Sequence, residues 1–492
     1  MTTTHRTAHE MRVYPLDPQE LTQEQIAVIF AMTSRSPEAF DEIKERVTEA
    51  KAADFNEKWV VGYGHASVAE HAVIHMAVEN ISRLACDELE DNRLASFTEK
   101  SSRYQVLERG SYHVPAELRG HELERTFTET CDFLFETYHA LLEKTQAYLK
   151  SQHPQREGER DGAYNLRIRR EATDSCRFVL PAATLTNVGV TMNARSLEHA
   201  ITKLLSSELA ESREIGKRLR AEGRKIAPTL VKYAEDSEYF IGAQKNQWAF
   251  DRKRRERFWN SIEKESDNNG SQLSFDSLGT EVDVAQVKAT LVYFDRSAVD
   301  RLVEALLYRV SGRPYKRVEY SVRRMSERQK TELIDMALSG LGDFDPPLRE
   351  LENIDYLFEL EMDYGAYREY KRHRMQTTLS QPLNARYGHL VPRLIERAGA
   401  GRLFREAIKK TDHAFRQVEK VHPSVARYLV THAHMTRTLA KLNLRECYHL
   451  LKLRLSSQAH FTIQELARQM HRHIENVHPR LIRYIRLRDE AE

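Results

Sequence analysis

Apolar and polar positions alternate with a period of two along Tyr356, Phe358, Leu360 and Met362, interleaved with Leu357, Glu359, Glu361 and Asp363. Successive side chains of a strand face opposite sides, so this stretch predicts a strand with one largely polar face. A second stretch, Ala72 to Glu79, sets Ile74, Met76 and Val78 against His75 and Glu79 in the same way. Each is followed by a segment of helical character, Gly365 to Lys371 and Ser82 to Glu90, that ends on a charged cluster. Thr22 to Met32 has helical character, and Leu442 to Met470 carries apolar residues at helical spacing with no Pro or Gly. Together these predict an α+β fold, helix-rich around a small sheet, with the arrangement present twice.

The polar residues repeat as well. Arg177 is followed sixteen positions later by Asn193, then by Arg195 and His199. Arg427 is followed at the same intervals by Asn443, Arg445 and His449. Upstream, Glu70 and Arg93 answer Glu352 and Arg374, and both stretches run on to an Arg-Tyr pair, Arg103-Tyr104 and Arg386-Tyr387. Chance accounts for one such match far better than for the ordered set, so the chain is a tandem duplication. Core packing would repeat apolar positions; a repeated set of Arg, Asn, His and Glu points to a repeated binding task. The expected organisation is a first repeat over 13–235, a linker or surface excursion over 236–283 containing Ser-Asp-Asn-Asn-Gly-Ser, and a second repeat over 284–492. A polar insertion, Ser151 to Gly162, belongs to the first repeat alone.

Bulk properties narrow the chemistry. At 492 residues, 41% hydrophobic and 30% charged, the chain is long enough for two cores and is expected to be soluble. A net charge of +2 gives no general field towards nucleic acid or membrane, so an anion site must be a local arginine cluster. The run Arg252-Lys253-Arg254-Arg255-Glu256-Arg257 is basic but lies in the excursion. The four cysteines are scattered without a Cys-x-x-Cys pair, which argues against a zinc site or disulfide framework and for a reducing compartment. His432 with His434 and His471 with His473 are His-x-His pairs; on a helix, i and i+2 diverge, so no metal is expected. With no long apolar run and no signal-peptide core at the N-terminus, the expected location is cytoplasmic.

Three strings of the first half carry a resemblance. They are Gly64-His65-Ala66-Ser67-Val68-Ala69-Glu70-His71; Arg93-Leu94-Ala95-Ser96-Phe97-Thr98-Glu99-Lys100-Ser101-Ser102-Arg103-Tyr104; and Arg177-Phe178-Val179-Leu180-Pro181 with Asn193-Ala194-Arg195. The second half adds Arg372-His373-Arg374, Asn443-Leu444-Arg445-Glu446 and Leu453-Arg454. Both halves resemble the flavin-dependent thymidylate synthases. The resemblance implies methylation of dUMP to dTMP with FAD, methylenetetrahydrofolate and NADPH, without a protein nucleophile. It implies a nucleotide site drawn from Glu99, Ser101, Arg103, Arg177, Arg372, Arg427 and Arg454, with Ser101 and Arg454 nearest the reacting nucleotide. For FAD it implies His65, Glu70, Arg93, Asn193, Arg195, His199, Glu352, Arg372, His373, Arg374, Asn443, Arg445 and His449. The chemistry agrees: arginines stay charged and clamp phosphates bidentately, while Asn and His can meet the edge of a flavin ring.

The departures are complementary. In the first repeat the Arg-His-Arg positions are Asp91-Asn92-Arg93, and Leu204 stands where the family has a late arginine. In the second repeat both features are intact, but Pro382 takes the place of Ser101 and Arg386 is displaced by two positions. Pro347 and Asn353 replace the counterparts of His65 and His71. The family's glutamine before the signature is Glu88 in one half and Glu369 in the other, and a carboxylate near a phosphate is unfavourable. The resemblance implies sites shared between subunits of a homotetramer, so a homodimer of this chain would form a pseudo-tetramer. One class of site would join Arg372, His373, Arg374 and Arg454 to Glu99, Ser101 and Arg103. The other class would be dead. Two alternatives stand beside this: a diverged FAD- and nucleotide-binding relative with another reaction, and a catalytically silent scaffold.

Overall fold

A computed structural model of the chain describes residues 11–243, 245–247, 250 and 286–487. Most of the expected 236–283 excursion, including Arg252-Lys253-Arg254-Arg255-Glu256-Arg257, lies outside these residues. The chain divides into two compact units that do not follow its order. The first takes the chain up to Ile81, then Ala85–Lys100 and the stretch from Thr186 onward; the second takes Ser82–Leu84, Ser101–Leu185 and the C-terminal part.

The first unit holds strands β1 (Val73–Ser82), β2 (Ala95–Glu99) and β3 (Leu185–Asn193), in the order β1-β3-β2. Strand β3 pairs antiparallel with β2, placing Val190 opposite Phe97. Its alternating Val188, Val190 and Met192 are buried against the helix Ala194–Leu205 and its neighbour Ala210–Ile226. The two helices lie close because Gly216 and Gly223 carry no side chain; a Cβ at Gly216 would stand 3.1 Å from Leu204 Cβ. Leu204 is thereby sealed in the core.

The second unit holds β4 (Lys288–Phe294), β5 (Asp355–Asp363), β6 (Gln376–Ser380) and β7 (Met435–Asn443), all antiparallel in the order β4-β5-β7-β6. As the alternation predicts, Tyr356, Phe358, Leu360 and Met362 are buried on one face of β5. The helical stretch expected over Leu442 to Met470 is corrected at two points. Leu442 and Asn443 end β7, and Leu455 to His460 separate the helices Leu444–Arg454 and Phe461–Val477. The cause is local: Asn443 and His460 are N-caps, their side chains accepting from Glu446 N and Thr462 N, and a cap residue leaves the helical conformation.

Both repeats contribute to this second unit. Helix Glu122–Gln152 of the first repeat packs Leu134, Phe135 and Tyr138 with Phe404, Ala407 and Ile408 of helix Gly401–Val421. Beside them the two copies exchange backbone hydrogen bonds reciprocally. Ala182 N donates to Val430 O (2.8 Å) and His432 N to Leu180 O (3.1 Å); Ala183 N donates to Tyr428 O (2.8 Å) and Ala433 N to Phe178 O (2.9 Å). Each donor and acceptor has its duplicate in the opposite role, as in an isologous contact between identical subunits. The insertion Ser151–Gly162 is a helix end and a loop turning at Gly158 (φ 75°). The second repeat passes from Val421 through His422 straight to Pro423. The fold is therefore α+β with a small sheet in each repeat.

Candidate functional site

In the second unit, helix Tyr364–Tyr370 begins at Asp363, whose Oδ1 accepts from Ala366 N at 2.8 Å. One residue before the helix ends stands Glu369, 8% exposed. Three arginines surround its carboxylate. Arg103 Nη1 lies 3.8 Å and Arg177 Nη2 3.6 Å from Oε1, and Arg454 Nη1 lies 3.6 Å from Oε2. Arg103 and Arg177 come from the first repeat, Arg454 from the second.

Each arginine is positioned by its own element. Arg103 sits in a turn where Ser101 Oγ accepts from Arg103 N (3.2 Å), and its Nε and Nη2 grip both oxygens of Asp174 at 2.9 and 3.1 Å. Its Nη1 donates to Gln458 O at 3.2 Å. Arg177 follows the helix Asp161–Cys176 one turn after Asp174, donating Nη1 to Ser102 Oγ at 3.4 Å. Arg454 closes the helix Leu444–Arg454, its Nη2 donating to Glu369 O and its Nε to His373 Nε2, both at 2.9 Å.

His373 completes a chain of contacts. Its Nδ1 lies 3.0 Å from Glu446 Oε1 while Nε2 faces a guanidinium donor. An arginine cannot accept, so Nε2 offers its lone pair and Nδ1–H donates to Glu446. Burial lowers the His373 pKa despite Glu446, which keeps the ring neutral as this pattern requires. Burial opposes ionisation of Glu369, but the charges of Arg177, Arg103 and Arg454 outweigh it and hold the carboxyl below its ordinary range. Burial and the neighbouring Arg177 push His460, which stands 3.6 Å from Asp174, well below its ordinary pKa.

Next to His373 opens a cavity of about 480 Å³. Glu352, Asn443, Arg445, Glu446, His449 and Lys452 line it on the polar side, with Leu341 to Pro347, Met375, Tyr448 and Leu453 among the rest. The His449 ring is 5.5 Å from that of His373. Arg445 is held by Glu352 (2.7 Å) and by Pro347 O (2.9 Å).

The structure places the other residues marked by sequence as follows. Arg372 and Arg374 are exposed while His373 between them is buried. Asn193 and Asn443 both cap helices, at 2.8 and 2.9 Å. The duplicated Glu and Arg pair with each other in both copies, Glu70 with Arg195 at 2.5 Å as Glu352 does with Arg445. In the first unit, Glu99 accepts from Thr186 Oγ1 at 3.0 Å; His65, Arg93 and His199 are exposed. The counterparts of the cluster are dispersed in character. Glu88 accepts from Ser207 (2.8 Å), Asn92 donates to Leu89 O (2.9 Å), Lys203 pairs with Asp91 (2.6 Å), and Leu204 is core. Arg386 pairs with Glu419, and Arg427 Nε donates to Ser424 O at 3.0 Å.

The His-x-His pairs are in use within the fold. His432 and His434 precede β7 rather than lying on a helix; Nδ1 of His432 meets Leu180 O and Nε2 of His434 meets Asp412, at 2.9 and 2.8 Å. His473 Nε2 meets Ala289 O at 2.9 Å. Asp174, Gln458 and His460 were not singled out by sequence, and Glu446 stood in a family-like string without a role. Only Asp174 carried a signal, lying one helical turn before Arg177.

The model of the family described as thymidylate synthase complementing protein matches residues 19–229 and again 296–480. The chain belongs to this family. The resemblance to flavin-dependent thymidylate synthases is thus borne out, in duplicate. A UPF0159 protein of Chlamydia muridarum is 29% identical over 458 residues, covering 90% of this chain and 82% of its own. The UPF0159 protein Ta1429 of Thermoplasma acidophilum is 26% identical, covering 90% of each chain. The flavin-dependent thymidylate synthase of Saccharolobus solfataricus is 31% identical over 220 residues, 43% of this chain and 72% of its own. The UPF0159 relatives thus match along nine-tenths of the chain, and the thymidylate synthase over less than half of it. Among the described residues, no helix is long and apolar enough to cross a membrane.

Proposed function

We propose that the chain is a flavin-dependent enzyme that methylates dUMP to dTMP with methylenetetrahydrofolate and NADPH, at a composite site built from both repeats. The observation that carries this is His373, which joins the cavity to the arginine cluster. It touches Glu446 of the cavity wall on one side and Arg454 on the other. A flavin seat and a phosphate seat are thereby held in fixed relation.

The cavity lining carries three cations, Arg445, Lys452 and Arg486, and four carboxylates, Asp343, Asp345, Glu352 and Glu446. Arg445 is paired with Glu352 and Glu446 with His373, so Lys452 and Arg486 are the cations that would meet a pyrophosphate, and Met375, Tyr448 and Leu453 supply apolar surface for a flat ring. Glu352, Asn443, Arg445 and His449 would hold it there, with Arg372, His373 and Arg374 at its edge. FAD held there would supply the two electrons that convert the transferred methylene to a methyl group, with NADPH as their source. Arg103, Arg177 and Arg454, with Ser101, Glu99 and Arg427 as further candidates, orient the nucleotide. His65, Glu70, Arg93, Asn193, Arg195 and His199 form the corresponding first-repeat set, without the full arginine cluster. The cysteines are buried; the Cys176 thiol is pushed up to about 12, which leaves it protonated and suits a reaction without a protein thiolate. Two chains would supply four repeats, a pseudo-tetramer.

Three experiments test the reading. Purified protein loaded with FAD should retain close to one flavin per chain rather than two, and the chain expressed in a thymidine auxotroph should restore growth; a chain that retains no flavin sinks it. Arg103 and Arg454 flank one carboxylate within a single chain. An Arg103→Ala chain mixed with an Arg454→Ala chain should therefore stay inactive, because each site keeps one defect. Recovered activity would show that the working site is completed between chains.

A further inference from the structure

The arginine cluster already contains an anion. Three guanidinium groups face two carboxylates, Glu369 and Asp174, and burial holds His460 beside them neutral, so these groups sum to one net positive charge, with the field of Arg372 reaching Arg454 from outside them. The two carboxylates are held differently. Asp174 is gripped by Arg103 through two hydrogen bonds at 2.9 and 3.1 Å, an anchoring pair. Glu369 stands 3.6 to 3.8 Å from its arginines, and its Oε1 accepts no hydrogen bond. Nε and Nη2 of Arg177, a residue 5% exposed, likewise have no hydrogen-bond partner. Buried donors and acceptors are ordinarily paired. Arg177 and Glu369 thus attract each other at 3.6 Å without a hydrogen bond, a loose ion pair whose donors and acceptor keep hydrogen-bonding capacity for a group that arrives.

We propose that Glu369 is a specificity-determining resident anion: it competes with an incoming phosphate for Arg103, Arg177 and Arg454, so that the site gains little from a phosphorylated ligand and accepts the unphosphorylated nucleoside comparably. The inference rests on the nucleotide reading above for its ligand, but not for its electrostatics. A phosphate near two negative charges meets a cluster with one net positive charge; with Glu369 replaced by glutamine it meets two. Glutamine keeps the side chain's shape and one acceptor oxygen, so the substitution removes the competing charge while exchanging the other oxygen for an NH2 donor that a phosphate can accept from.

Calorimetric titration with inorganic phosphate, dUMP and deoxyuridine tests this on the full chain and on Glu369→Gln. The wild-type chain should bind dUMP within about threefold of deoxyuridine. Glu369→Gln should tighten phosphate and dUMP by about tenfold or more, the scale of one charged contact, and leave deoxyuridine unchanged. Unchanged phosphate and dUMP affinity in Glu369→Gln overturns the proposal. If that variant fails to fold, the wild-type chain decides, since micromolar binding of inorganic phosphate, or a preference for dUMP above about a hundredfold, overturns it equally. Should neither form bind either nucleotide while the substitution still tightens phosphate, the resident anion stands and only the nucleotide reading falls.

Discussion

The same ancestral positions have become a charged cluster around Glu369 and an ordinary folded surface around Glu88. At Glu369 the late position is Arg454 and the middle of the signature is His373, and the two are bonded to each other. At Glu88 the corresponding residues are Leu204, sealed in the core, and Asn92, turned to the end of its own helix. Glu88 is left with a serine hydroxyl where Glu369 has guanidinium groups. A buried arginine needs a partner anion and a rigid seat, and once either is lost an apolar residue packs better in its place. Equivalent positions thus hold charge in one copy and packing in the other.

The largest break in this comparison should come from Arg177 and its duplicate Arg427. Arg177 is buried between Asp174 and Glu369, and removing one partner of a buried pair leaves the rest uncompensated. Arg177→Ala should cost about 3–5 kcal/mol in urea unfolding, and Arg427→Ala, bonded only locally to Ser424 O, within about 1 kcal/mol. Equal costs would mean that the two copies still serve alike.

Asp363 gives the next effect, against Ser82 at the same position of the first repeat. Burial raises its pKa to about 6 from 3.8, so the folded state binds its proton more readily than the unfolded chain. The penalty is therefore fully present above about pH 6 and relieved as pH falls through 6 towards 3.8, a gap worth roughly 3 kcal/mol. Glu369, held below its ordinary range, runs the other way: its stabilisation is present above that range and lost on acidification. Asp363→Asn keeps the capping oxygen and removes the charge. It should raise stability near neutral pH, with the gain shrinking towards about pH 4; a gain independent of pH would contradict the buried charge.

How much of this was legible in the sequence follows from what makes a signal. The alternation at Tyr356 to Met362 gave β5 because one face of that strand is core and the other polar. The central strands β3 and β7 were not singled out, because Thr186, Thr436 and Thr438 are polar yet buried and blur the period. The repeated polar residues marked candidate positions in both copies but not the partners those residues have in the fold. Asn193 and Asn443 recur as helix caps, and Glu70 and Glu352 recur because each pairs with its own Arg. Arg103, Arg177, Glu369 and Arg454 meet only through tertiary packing, which no spacing along the chain encodes.

His373→Asn, which writes the first repeat's residue into the second, should act on ligand more than on stability. Asparagine is too short to bridge Glu446 and Arg454 together, so the link between cavity and cluster is lost. Retained FAD, read from absorbance after gel filtration, should fall by about tenfold, the scale of one or two hydrogen bonds. Asn92→His should change nothing, since Leu204 offers it no donor. Equal losses in both variants would show that flavin is held in both copies.

The smallest effect concerns a feature that both repeats preserved, the Glu–Arg pair. Arg195 and Glu70 are 53% and 39% exposed, against 35% and 30% for Arg445 and Glu352. Water screens the first pair more, and ion pairs this exposed contribute between zero and about 1 kcal/mol. Arg445 also bonds Pro347 O, and so ties the helix Leu444–Arg454 to the loop that walls the cavity. A double-mutant cycle with Glu70→Gln and Arg195→Ala should give a coupling near zero, and one with Glu352→Gln and Arg445→Ala up to about 1 kcal/mol. Arg445→Ala should in addition speed hydrogen exchange over Leu341 to Pro347, because the loop loses its tether while the pair's own energy stays small. If the first-repeat pair couples more strongly than the second, the preserved pair serves folding in both copies and its place beside the cavity is incidental.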